Sequence, residues 1–117
     1  MTGEKELSLI SERQEISLGE NNYGPSRQSQ GGDYYLDSEL QAYITSVGRR
    51  LAVQSDRPDL PYEFVVLNNS VPNAWALPGG KIAINRGLLE YLDDESQLAA
   101  VLAHEIVHAA ARHSASQ

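Results

Sequence analysis

From Leu98 to Ala111 the chain reads Leu-Ala-Ala-Val-Leu-Ala-His-Glu-Ile-Val-His-Ala-Ala-Ala, good helix formers without glycine or proline and with polar side chains only at His104, Glu105 and His108. Asp93 and Asp94 offer N-caps, and Asp94 with Gln97 has capping-box spacing, so a helix is expected to start there. A helix apolar on nearly all sides is expected to be buried. Two imidazoles and a carboxylate in such surroundings are costly unless paired or coordinated, and one divalent ion would satisfy all three.

The spacing suits that chemistry. Residues four apart on a 3.6-residue helix stand about 40° apart around the axis, so His104 and His108 project from one face and can share a zinc ion. Glu105 stands about 60° from His108, where it is not needed as a ligand and can take a proton from the attacking water as general base. The plainer alternative is a pair of core histidines bonded to backbone carbonyls, with Glu105 reaching solvent or an arginine. His113 is the remaining histidine. On a continued helix it lies about 180° from His104 and about 140° from His108, away from a shared metal. With Arg112 it is read as a support around the ligands rather than a ligand. The longer zincin pattern, with a glycine and a third histidine after the first pair, is not met by Ala109-Ala110-Ala111-Arg112-His113.

Composition limits the alternatives. A chain of 117 residues is one domain at most. A net charge of -7 with no basic cluster longer than Arg49-Arg50 argues against nucleic-acid binding. With no cysteine, disulfides and thiolate zinc fingers are excluded, and His, Glu and Asp are the available ligands. No apolar run approaches membrane-spanning length, and the N-terminus lacks a basic region followed by an apolar one.

Along the chain, residues 1–20 are expected to hold an N-terminal helix closed by Gly19, and residues 21–36 a loop, with Gly24-Pro25 and Gly31-Gly32 as its breakers. Residues 37–55 form a helix capped by Asp37 or Ser38, whose Leu40, Tyr43, Ile44, Val47 and Leu51 make one apolar stripe. Residues 61–86 give a strand from Tyr62 to Leu67 and a hairpin, Ala74–Leu77 and Lys81–Ile84, whose Gly79 and Gly80 take positive φ. Residues 87–114 hold a short helix and the motif helix. Tyr34, Tyr35 and Tyr43 are read as packing residues. The fold class is α+β, helices on a small antiparallel sheet or hairpin with the motif helix central.

The segments Asn73-Ala74-Trp75-Ala76-Leu77-Pro78-Gly79-Gly80-Lys81-Ile82, Arg86-Gly87-Leu88-Leu89 and Leu98 to His108, with Arg112-His113 after them, together resemble the M48 family of zinc metallopeptidases, in particular its bacterial exported, TPR-associated members. Upstream, Glu15 to Gly19, Leu40 to Ile44, Val47-Gly48, Leu51-Ala52 and Pro61 to Leu67 extend the resemblance to about Leu9. It implies a truncated zincin-like domain with His104 and His108 as the first two zinc ligands and Glu105 as the catalytic glutamate. It implies a third ligand, a glutamate on a later helix. Nothing after His108 is acidic, so the chain is expected to be the N-terminal part of a catalytic domain, partnered in its parent by the rest of that domain and a TPR domain. The implied activity is zinc-dependent hydrolysis of protein or peptide substrates in the periplasm or cell envelope. The alternatives are an inactive zinc-binding or interaction module and a structural metal site closed by His113. Asn73, Ala74, Trp75, Ala76 and Leu77 carry two readings, Trp75 as a core anchor and the segment as an edge strand to which an extended substrate adds.

Overall fold

The computed structural model describes residues 11–111, so Arg112 and His113 lie outside the described residues. Within them, four helices pack on a three-stranded sheet, an α+β arrangement.

Helix α1 runs Glu12–Ser29 from a capping box in which the Ser11 hydroxyl accepts from Gln14 N–H and the Gln14 side chain accepts from Ser11 N–H. This corrects two expectations. Gly19 does not end the helix, and much of the expected 21–36 loop is helical. Proline after a residue with a Cβ disfavours helix, but Gly24 has no Cβ to meet the Pro25 ring. The lost backbone bond is offset by tertiary anchors. Tyr23 is buried with its hydroxyl donating to Ile82 O, and Arg27 pairs with Asp33 at 2.9 Å. The helix stops instead at Gly31 and Gly32, where Gly32 N–H returns to Arg27 O at 2.8 Å. Gly19 serves close approach: a Cβ there would lie 2.1 Å from Pro78 O.

Helix α2, Ser38–Ala52, begins at Asp37, whose carboxylate accepts from Leu40 N–H at 3.0 Å. Ile44 and Val47 are buried, and Leu40 and Leu51 pack at the core's edge. Tyr43 is exposed at 42%, which corrects its reading as a packing residue; its hydroxyl donates to Glu95, and that bond holds its phenol above the usual range. Tyr34 packs against the core. Tyr35 does not, being 84% exposed, which corrects its reading as a packing residue.

The strands are β1 Glu63–Leu67, β2 Ala74–Leu77 and β3 Lys81–Asn85, in the order β1-β3-β2. The β2–β3 hairpin is antiparallel, turning through Gly79 and Gly80 at φ 85° and 93°. The expected antiparallel sheet is corrected to a mixed one, since β3 pairs parallel with β1. The chain reverses after β1 and again at the hairpin, so β3 runs along β1's direction and takes the central position, where all five of its residues are buried. Alternation then divides the core. Phe64, Val66, Ile82 and Ile84 face the cluster built with Ile44, Val47, Leu98, Leu102 and Ile106, and Val65, Leu67 and Ala83 face Tyr23 of α1.

Helix α3, Arg86–Leu89, leads to α4, Glu95–Ala110. Asp94 caps α4 by accepting from Gln97 N–H at 3.0 Å, and the Gln97 side chain accepts from Asp93 N–H, one residue earlier than an ordinary capping box. Expected burial on nearly all sides is corrected to one face. Leu98, Leu102, Glu105, Ile106 and Ala109 are buried, while Ala100, His104, Val107 and His108 are exposed. The exposed face is built of alanine, valine and histidine, so polarity did not mark it.

Candidate metal centre

His104 and His108 stand on the exposed face of α4 with Nε2 atoms 3.1 Å apart and rings nearly perpendicular at 80°. Two nitrogens bound to one tetrahedral zinc at about 2.0–2.1 Å would stand about 3.3 Å apart. The two Nε2 atoms stand at hydrogen-bond distance, one ring donating to the other, with a separation close to that of two ligands on one ion; the donor chemistry suits a borderline-soft divalent ion. Among the described residues no third His, Cys, Asp or Glu joins them. The desolvation argument made from sequence applies to Glu105, 9% exposed, and not to the solvent-facing histidines.

Glu105 is buried next to the pair. It lines, with His104, a hollow of about 390 Å³ walled by Pro72, Asn73, Ala74, Leu88, Ala100 and Val101. This hollow places a carboxylate, one imidazole and the start of β2 around one space. His108 is not part of its lining and joins the site through His104.

Strand β2 is one of the sheet's two edge strands, the other being β1. Asn85 N–H donates to Asn73 O at 2.9 Å, which sets the phase of the β2–β3 ladder. By the alternation of an antiparallel pair, Trp75 and Leu77 turn their main-chain groups to β3, and Ala74 and Ala76 turn theirs outward. The five residues singled out from sequence divide accordingly. Asn73 and Ala74 reach the hollow beside His104, while Trp75, Ala76 and Leu77, again with Asn73, line a second hollow of about 350 Å³ with Ser26, Ser29 and Gln30 of α1. Trp75 stands edge-on to Tyr23 at 6.1 Å, part buried, with no partner for its buried Nε1 among the described residues. Its ring has the packing role, and the backbone of its neighbours the open edge.

Sequence reasoning did not assign the walls Leu88, Ala100 and Val101, although Leu88 falls in the Arg86–Leu89 segment. It also passed over Arg57, whose guanidinium reaches both α1 and the end of α4; the Glu15 carboxylate bonded to it raises its pKa, with Glu12 assisting.

The model of peptidase family M48 matches residues 38–117, which include β1 to β3, α4 and the histidine pair. The chain belongs to peptidase family M48. This M48 chain is 39% identical over 100 residues to the beta-barrel assembly-enhancing protease of Escherichia coli (strain K12), covering 76% of the chain and 20% of that relative. It is 38% identical over 108 residues to the protein of the same name in Yersinia pestis, covering 92% of the chain and 22% of the relative. It is 42% identical over 91 residues to the mitochondrial metalloendopeptidase OMA1 of Schizosaccharomyces pombe, covering 76% of the chain and 27% of the relative. The M48 chain thus spans about a fifth to a quarter of the length of these curated relatives. Among the described residues no helix is long and apolar enough to cross a membrane.

Proposed function

We propose that this chain contributes two zinc ligands, the general base and the substrate-binding edge of a zinc metalloendopeptidase. His104 and His108 would hold the ion, which supplies Lewis-acid activation of the scissile carbonyl and of the attacking water. Glu105 takes the proton of that water and delivers it to the leaving amine, general base becoming general acid. The outward N–H and C=O groups of Ala74 and Ala76 hydrogen-bond an extended substrate as an added strand beside the hollow that Glu105 and His104 line. The observation that carries the reading is the convergence of the two Nε2 atoms at 3.1 Å beside a buried glutamate and an open strand edge.

The relatives' names, one enhancing β-barrel assembly and one mitochondrial, support protein quality control in a periplasmic or other envelope compartment as the setting, with protein substrates.

Calorimetric titration of the 117-residue chain with zinc tests the ligand assignment. One site is expected, weakened on the order of tenfold or more by either His104→Ala or His108→Ala. Binding indifferent to both substitutions would overturn it. In a polypeptide that cleaves casein in a chelator-sensitive way, Glu105→Gln keeps the zinc and loses hydrolysis. A chain that binds zinc through the pair without turnover would be the inactive module.

A further inference from the structure

The last turn of α4, which carries His108, has no glycine stop: its C-cap Ala111 is extended at φ -68°, ψ 129°. Two carbonyls of that turn are met from far along the chain. Ala109 O accepts from Gly79 N–H at 3.1 Å, and Ala110 O accepts from Arg57 Nη1 at 2.7 Å.

Both donors are held by α1. Arg57 grips Glu15 with two prongs, Nη1 to Oε2 at 2.8 Å and Nη2 to Oε1 at 2.7 Å, and Nη2 also reaches Glu12 Oε1 at 3.1 Å. Glu15 is fully buried, so its charge is tolerable only while this pairing lasts. Gly79 rests against the same helix; a Cβ on it would stand 3.0 Å from Ile16 Cα. One face of α1, through Glu15 and Gly19, thus fixes both the guanidinium and the turn that close α4.

We propose that Arg57, locked by Glu15, is a positioning residue for the histidine pair, so that α1, which precedes the family-model match, sets the turn from which His108 reaches the metal. The physical reason is short range. Ala111 N–H bonds back to Val107 O and His108 O, so release of Ala110 lets the final turn unwind at His108 itself and carries its ring away from His104. A guanidinium at a helix C-terminus also complements the end of the dipole, which a neutral replacement would not. The inference rests on the reading of the pair as metal ligands, and its test separates the two.

Amide hydrogen exchange and zinc titration are run on the 117-residue chain and its Arg57→Gln, Arg57→Lys and Glu15→Gln variants. In Arg57→Gln and Glu15→Gln the amides of residues 108–111 are expected to speed up about tenfold more than those of Val65 and Ile82, which report the loss of global stability. Zinc affinity falls roughly tenfold or more, as when the outer partner of a ligand is removed. Arg57→Lys, which keeps the charge but not the fork, recovers part of both losses. Unchanged exchange at 108–111 in Arg57→Gln overturns the proposal. So does an equal loss of protection in the sheet, which would make Arg57 a support of the whole fold. If zinc binding in the unsubstituted chain ignores His104→Ala, the ligand reading falls, and the exchange arm still decides whether Arg57 sets the turn.

Discussion

The two ends of α4 are closed in opposite ways. At the start, Asp94 and Gln97 satisfy the free N–H groups of Gln97 and Asp93 from within four residues. At the finish, the carbonyls of Ala109 and Ala110 depend on Gly79 and Arg57, which lie 30 and 53 residues back along the chain. A local cap forms as soon as the helix does. A distant cap exists only once α1, the hairpin and α4 have docked, so the end of the helix beside the histidine pair is held by tertiary contacts and not by its own sequence.

That contrast can be broken from the far end first. Glu15→Ala leaves the part-buried Arg57 without its buried partner and should cost about 3 kcal/mol, read as a lowered urea midpoint. A loss within a few tenths of a kcal/mol would mean that Glu12 and solvent suffice for Arg57.

At the near end, Asp94→Ala removes one capping acceptor and should cost about 1 kcal/mol in the same assay, with the 108–111 amides unaffected. If those amides also opened, the two ends would be coupled and the comparison would fail.

The smallest effect concerns what holds α1 down. Burial pushes the Tyr23 phenol above its ordinary range, and its hydroxyl bonds Ile82 O. The neutral phenol is therefore favoured in the folded state. Its contribution is complete below about pH 10 and is lost at higher pH, where the unfolded chain's phenol ionises while the folded one resists. Tyr23→Phe should flatten this alkaline loss of stability by about one proton's worth in urea titrations at pH 9 and 11. An unchanged slope would show that other groups produce it.

What could be read in the sequence follows the same division. The Asp37 and Asp94 caps, the Pro78-Gly79-Gly80 turn and the i, i+4 histidines are local signals, and each appears in place. The passage of α1 through Gly24-Pro25 was not legible, because Tyr23 and Arg27 outweigh the proline only through contacts made elsewhere. Nor was the parallel pairing of β1 with β3, since strand patterns mark burial and not direction. In the candidate site, spacing singled out the pair and Glu105, and the structure sets them side by side on α4. Their surroundings were misjudged: an alanine-rich helix shows no polar stripe, so its solvent-facing side looked like core.

The outer margin of β2 has a consequence for the molecule's company. Outward-facing N–H and C=O groups that can hold a substrate strand would accept a neighbour's strand as readily, and sheets that leave such margins long and flat tend to stack. Here the margin is four residues, with only Ala74 and Ala76 offering their main chain outward. It has the length the proposed grip on an extended peptide needs and is too short to seed a growing ribbon.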